Sequence, residues 1–278
     1  PTLRLQIQKL EQEIGHELFD RKKSPILVTR MGQKIIDQAR KVLLEAARLE
    51  ELYQSDRPIA GQLNLGIIPT VAPALLPHLV RSLSLLSPEL EFRIFELPTS
   101  QIIARLRSED LDLGILATPL EEKDLTEFPL YYEPFVAYYP PGAVPHSPVS
   151  LTNMNRKPGG DGLFELVLLG EEHCFRNQSL QLCKGRSPAR IECGSLDTLR
   201  RMVDEGAGMT LLPLLASDLT HPRVVRLADP VPGREISLVH GPGFVKGRLV
   251  EMLKELILSP IPPELYTRGE LDIIGLRT

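Results

Sequence analysis

Apolar residues recur at helical spacing from the first turn of the chain: Leu3, Ile7, Leu10 and Ile14, with Leu18 continuing the series. Gly15 is placed to end that helix. Arg4, Gln8, Glu11 and Gln12 fall on its opposite face, with Gln6 towards one edge. A basic turn, Lys22-Lys23-Ser24-Pro25, precedes a short apolar strand, Ile26-Leu27-Val28. Thr29 is a plausible N-cap for a long amphipathic helix through Ile35, Ile36, Ala39, Val42, Leu43, Ala46, Leu49 and Leu52, ending before Pro58. The pattern then changes. Strands are expected at Gln62–Ile68, Glu91–Glu96 and Leu111–Leu116, and helices at Ala74–Leu86 and Gln101–Ser108. The alternation resumes with a strand at Leu163–Leu169, a helix at Ser195–Asp204 and a strand at Met209–Leu212. It closes with a strand at Ile236–His240 and a helix at Arg248–Leu258. Strand and helix in alternation predict an α/β body with a parallel sheet and crossover helices. Pro140–Gly162 reads as an irregular excursion, and Pro260–Thr278 as a weakly amphipathic tail without an assigned role.

Length and composition narrow the class. The 278 residues, 42% hydrophobic and 24% charged, suit a globular protein of two or three domains. No apolar run approaches the ~20 residues of a membrane span, and no secretory leader is visible, so a cytoplasmic protein without membrane association is expected. The net charge of −4 is unevenly spread. Residues 1–41 hold nine Lys/Arg against five acids, a surplus of four, which leaves −8 for the remainder. A basic head on an acidic body suggests either a polyanion partner or a solvated helical face.

The stretch PTLRLQIQKLEQEIGHELFDRKKSPILVTRMGQ resembles the recognition helix, wing and linker-helix start of the LysR family of transcription regulators. That resemblance implies a partial winged helix-turn-helix over residues 1–30, a linker or dimerisation helix over 31–58 and a two-lobed effector domain over 59–278. Arg4, Gln6 and Lys9 would meet double-stranded DNA in a major groove. Arg21, Lys22 and Lys23 would sit on phosphates, giving affinity rather than sequence choice. About thirty further residues are expected ahead of Pro1, so the chain reads as cut short at its N-terminus and is expected to bind DNA weakly as written. A homodimer or homotetramer and a contact with RNA polymerase follow from the same resemblance.

The body resembles the periplasmic-binding-protein-like module of that family. Lobe one would comprise 59–132 and 236–262, and lobe two 133–235. SLDTLRRMVDEGAGMTLLP (Ser195–Pro213) is similar to the family's second-lobe helix, glycine turn and strand. A small-molecule site is expected in the cleft between lobes.

The chemistry-bearing stretch is GEEHCFRNQSLQLC, Gly170–Cys183. Cys174 falls at the expected N-terminus of a helix running toward Cys183, where the helix dipole favours a thiolate. His173 and Arg176 could add positive charge, with Arg176 the better candidate to stabilise the anion because it is always charged. Ser179 and Gln178 are further donors. On the residues alone, two free cysteines packed in a core are the commoner case. No Cys/His spacing makes a zinc site, and neither a metal nor a cofactor is expected.

The same stretch resembles the redox segment of the peroxide-sensing, OxyR-type members of the LysR family. There a peroxidatic cysteine follows a histidine, and a resolving cysteine lies nine positions on. The resemblance implies that Cys174 is oxidised by hydrogen peroxide and Cys183 resolves it in a reversible disulfide. LGIIPTVAPALLP (Leu65–Pro77) is similar to the family's pocket segment and places Thr70 beside the peroxide, together with His173 and Arg176. An N-cap is the other role open to Thr70. Nine residues of helix separate Cα atoms by about 13.5 Å, whereas a disulfide needs about 7 Å or less, so oxidation must remodel the segment. Cys193 has no role to carry over. The family's basic residue after the strand Ile236–His240 has no counterpart in His240-Gly241-Pro242-Gly243. The leading expectation is a peroxide-sensing regulator that activates or represses transcription, rather than an enzyme. The alternative is a LysR regulator of a small metabolite anion with incidental cysteines. A thiol peroxidase and a secreted solute-binding protein are disfavoured.

Overall fold

A computed structural model describes residues 2–53, 61–145, 148–159, 162–183, 191–244 and 247–276. The chain divides into two units, 1–57 with 243–247, and 58–242 with 248–278.

In the first unit, helix α1 (Thr2–Ile14) ends at Gly15, whose φ of 74° is the left-handed conformation a helix C-terminus favours. Strands β1 (Phe19–Asp20) and β2 (Leu27–Val28) form a two-residue antiparallel wing. Thr29 caps helix α2 (Arg30–Tyr53), its Oγ1 accepting from the Gly32 amide at 2.9 Å. Residues 54–58 of the expected linker helix lie outside the described residues. One expectation fails here. Glu11 is not on the solvated face but 8% exposed, accepting from the Leu18 and Phe19 amides and from Arg21 at 2.6 Å. These bonds, the Leu18 amide foremost, hold its carboxyl below the usual carboxylate range. A carboxylate satisfied in this way ties the end of α1 to the wing. Periodicity alone assigns such a residue to the wrong side.

The second unit is the two-lobed α/β body. Its first part runs β3 (Gly61–Ile67), α3 (Ala72–Leu86), β4 (Leu90–Glu96), α4 (Thr99–Arg107) and β5 (Leu113–Thr118). Strands β4, β3 and β5 are parallel, as the alternation requires. The chain then enters β6 (Thr126–Tyr138), a 13-residue strand that serves both lobes. After it come β7 (Val167–Leu169), α5 (Cys174–Cys183), β8 (Ile191–Cys193), α6 (Leu196–Asp204), β9 (Thr210–Pro213) and β10 (Val224–Arg226). Strand β11 (Pro232–His240) returns, and α7 (Gly247–Leu258) and β12 (Asp272–Ile273) complete the chain.

The sheet is not wholly parallel. β11 runs antiparallel to both β5 and β6, with Glu235 opposite Tyr132. The far half of β6 pairs antiparallel with β9 and β10. A chain that leaves one lobe and comes back must lay its outgoing and returning strands side by side in opposite directions. Ser195 caps α6 by accepting from the Thr198 amide. Gly208, at φ 150°, lets the following turn pass where a Cβ would collide with the Glu165 carbonyl.

Two segments to which the sequence assigns no element are packed into the body. Within 140–162, Val149 and Met154 are buried in that lobe's core, and the Tyr139 hydroxyl donates to the Met154 carbonyl at 2.6 Å. Positions 146, 147, 160 and 161 lie outside the described residues. The tail buries Ile261 and Leu265, and β12 pairs in parallel with the start of β11.

Candidate functional site

Helix α5 begins at Cys174 and ends at Cys183, as the sequence predicts. A turn prepares its start: the His173 amide donates to the Gly170 carbonyl at 3.1 Å and the Arg176 amide to the His173 carbonyl at 3.0 Å. Phe175, Gln178, Ser179 and Cys183 form its buried face at helical spacing. Phe175 packs edge-on against Phe135, with ring centroids 5.1 Å apart.

The Cys174 thiol is half-buried and lines a cleft with Ile68, Pro69, Thr70, Pro98, Thr99, Glu172 and His173. The cleft is partly open to solvent, and its volume is about 10 Å³, roughly what one water-sized molecule requires. Burial raises the Cys174 pKa above its ordinary value, while the Arg234 guanidinium and the Thr99 hydroxyl pull it down. The Thr99 Oγ1 is otherwise buried without a hydrogen-bond partner among the described residues.

Arg234 was not legible as a site residue. It is fully buried on β11, its Nε and Nη2 donating to the Glu133 Oε2 at 2.9 and 2.7 Å. Its Nη1 donates to Thr70 Oγ1 at 2.8 Å and its Nη2 to the Thr70 carbonyl at 3.3 Å. Glu133, 1% exposed, accepts the Leu215 amide on its other oxygen at 2.7 Å. Two buried charges are thus paired and their remaining polar atoms largely occupied, the condition under which such a pair is tolerated. The guanidinium also lies 5.6 Å from the Phe175 ring centroid. The cation near the thiol therefore comes from inside the returning strand, not from the turn after it.

Thr70 sits at the cleft, but it is not a helix cap. Val71 holds the N-cap position of α3 with no side-chain cap bond, and the Thr70 hydroxyl serves Arg234. His173 is 7% exposed, its Nε2 3.2 Å from the Gly194 carbonyl and 3.4 Å from Glu172. A proton on Nε2 would satisfy both contacts.

Three other expectations need correction. Arg176 does not face Cys174; its Nη2 pairs with Glu192 at 2.7 Å and lies 3.7 Å from Glu171, on the far side of the helix start. Ser179 donates to the Phe175 carbonyl of its own helix, and Gln178 to the Ile274 carbonyl, so neither hydroxyl nor amide is a donor to the thiol. Helix geometry decides the first, since a residue two steps after Cys174 falls on the opposite face; Gln178 and Ser179 are instead occupied by the carbonyls they donate to.

Cys183 is 4% exposed in the second-lobe core, and burial pushes its thiol up to about 12. Cys193 on β8 is partly buried, its sulfur 3.5 Å from the Ser195 carbonyl. In the first unit, Arg4, Gln6 and Lys9 are exposed on α1, and Lys22 and Lys23 on the wing turn, while Arg21 is engaged by Glu11.

Residues 56–259 match the LysR substrate binding domain. The chain is 38% identical over 266 residues to the DNA-binding transcriptional dual regulator OxyR of Escherichia coli K12, covering 92% of this chain and 85% of that protein. It is 35% identical over 254 residues to the hydrogen peroxide-inducible genes activator of Haemophilus influenzae, covering 87% and 82%. Among solved structures, a full-length OxyR from Pseudomonas aeruginosa matches with a TM-score of 0.68 and 34% identity over 93% of this chain and 85% of that one. A hydrogen peroxide-bound OxyR mutant from Corynebacterium glutamicum matches with a TM-score of 0.65 and 26% identity over 94% and 84%. With its two-lobed fold and a match spanning most of its length, the chain belongs to the LysR family.

Proposed function

We propose that the protein is a LysR-type, DNA-binding transcription regulator that senses hydrogen peroxide through Cys174 and Cys183. One observation carries this reading: Cys174 opens a helix in a cleft sized for a very small molecule, facing Arg234, while Cys183 closes the same helix. The Cys174 thiolate attacks one peroxide oxygen and the O–O bond breaks. With one proton taken up the products are a sulfenic acid and water. The Cys183 sulfur then attacks the Cys174 sulfur, forming a disulfide and releasing a second water. Thr70 and His173 border the space that peroxide would occupy. Arg176 belongs to the start of α5 through its pair with Glu192 rather than to the pocket.

The metabolite-anion alternative fits the cleft poorly. Small-molecule sites commonly occupy ~300–1,000 Å³, far more than the space beside Cys174.

Arg4, Gln6, Lys9, Lys22 and Lys23 are the groups offered to double-stranded DNA, with Arg21 sharing its charge with Glu11. Val42, Leu43 and Leu49 are each at least 60% exposed on α2, which supports pairing of that helix with a second copy in a homodimer or homotetramer. A regulator of this kind acts in the cytoplasm, and as an activator it would contact RNA polymerase. No helix among the described residues is long and apolar enough to cross a membrane.

Mass spectrometry of thiol state after stoichiometric peroxide tests the reading. Cys174→Ser should abolish the response. Cys183→Ser should leave a sulfenic acid that persists or over-oxidises, and Cys193→Ser should change neither step. A Cys174–Cys193 disulfide as the main product would refute the assignment.

A further inference from the structure

The tail after α7 reaches the helix that carries the cysteines. Its β12 pairs with Pro232 and Gly233, immediately before Arg234 on β11. The Ile274 amide extends that pairing by donating to the Gly233 carbonyl at 2.9 Å. The tail's next carbonyls then receive two side chains of α5. Gln178 Nε2 donates to the Ile274 carbonyl at 2.8 Å, and Gln181 Nε2 to the Gly275 carbonyl at 3.2 Å. The Ile274 side chain enters the second-lobe core. Gln178 is fully buried in the middle of the helix, and its Oε1 has no hydrogen-bond partner among the described residues. A leucine or methionine would fill that place without stranding an oxygen, because burying an amide is unfavourable wherever its bonds are incomplete. What the amide adds, and an apolar chain would not, is the bond to the tail.

We propose that residues 270–276 latch α5 through Gln178 and Gln181, and so set the rate at which Cys183 resolves the Cys174 sulfenic acid. The proposal rests on the peroxide-sensing reading above. The first step, thiolate and peroxide giving sulfenic acid and water, takes place at the helix start and needs no movement of the tail. The second step, Cys183 thiol and sulfenic acid giving disulfide and water, must bring together residues that the helix holds about 13.5 Å apart. For that the helix unwinds, and both glutamines leave the tail carbonyls. The latch is therefore a brake on the second step alone. Gln178 and Gln181 are positioning residues and touch neither sulfur nor peroxide in the reaction.

The experiment uses the full chain with Gln178→Met, Gln181→Ala and the double variant. After a peroxide pulse, rapid acid quench, thiol labelling and mass spectrometry read both steps. Sulfenic acid formation should stay within twofold of the parent. Resolution should accelerate about fivefold for Gln178→Met, about twofold for the more exposed Gln181→Ala, and about tenfold for the pair, as expected for loss of ordinary hydrogen bonds. Hydrogen exchange over 175–182 in the reduced protein should rise in the same order. Gln181→Ala touches no core packing, so it decides the matter if Gln178→Met fails to fold. Unchanged resolution in every folded variant, or equal slowing of both steps, would overturn the latch. If the parent forms no sulfenic acid at all, the peroxide reading falls. Exchange in the reduced variants then judges the latch by itself, and parent-like exchange over 175–182 overturns it.

Discussion

Arg234 has two jobs that a pair of substitutions can separate. Arg234→Met leaves the Glu133 carboxylate, 1% exposed, without its cation. Breaking a buried pair from one side costs about 3–5 kcal/mol, because the stranded charge has lost both solvent and partner. Adding Glu133→Gln removes that charge, and replacing both members of a buried pair is often close to neutral. The double variant should therefore recover to within about 1–2 kcal/mol of the parent, the remainder reflecting Thr70 and Leu215, which lose partners. Reactivity should not recover. Arg234 is the cation that lowers the Cys174 pKa against the opposing effect of burial. Losing that opposite charge should shrink the thiolate fraction that reacts with peroxide at neutral pH. Oxidation of Cys174 by peroxide at pH 7 should thus fall at least about tenfold in both variants, while urea melts show only the single one to be strongly destabilised. The pH profile of Cys174 alkylation should move upward in parallel. A double variant that regains stability and also oxidises at the parent rate would confine Arg234 to the fold and refute this account.

Two further substitutions probe neighbouring groups. Thr70→Val keeps shape but removes the oxygen that accepts from Arg234; it should cost about 1–3 kcal/mol and slow Cys174 oxidation more than tenfold, whereas parent-like kinetics in a destabilised protein would reduce Thr70 to an anchor. Burial raises the Cys183 thiol from its ordinary 9.0 to about 12, so the folded state keeps a proton that the unfolded chain releases. The associated stability is fully present below pH ~9 and lost as pH rises toward 12. From pH 8 to pH 10 Cys183→Ala should lose about 1.4 kcal/mol less than the parent in urea melts, and parallel losses would show that the buried thiol does not govern alkaline behaviour.

The elements that sequence made legible are those where local chemistry and tertiary packing agree. The helix stop at Gly15 and the cap at Thr29 depend on a few neighbouring residues, and the structure has them where spacing put them. The extent of α5 was legible for the same reason. Arg234 was not, because nothing in Pro-Gly-Arg-Glu-Ile-Ser distinguishes an arginine at the surface from one that is fully buried. Its partners, Thr70 and Glu133, lie 164 and 101 positions away. Arg176 failed in the opposite way: a cation two residues from the thiol looks like its counter-ion, yet helix geometry turns it toward Glu192. The tail has too few apolar positions for a periodic signal, and its fixed points are backbone carbonyls of Ile274 and Gly275, which every residue carries.

The length of α5 itself explains why one helix can serve as both site and switch. Isolated helices shorter than about 12–15 residues are marginal in water, and this one has 10. It persists because Phe175, Gln178, Ser179 and Cys183 are buried against the second lobe and the tail. Four residues of helix would set two cysteines about 6 Å apart, within reach of a disulfide that leaves the helix intact and changes little else. At nine residues the disulfide and the helix exclude one another, so forming one bond must dismantle the packing of a whole face. A much longer helix would hold more buried side chains and resist that exchange. The spacing of Cys174 and Cys183 thus couples a local oxidation to the loss of one marginal element, whose stability is set by contacts with Phe135 and the tail that take no part in the chemistry.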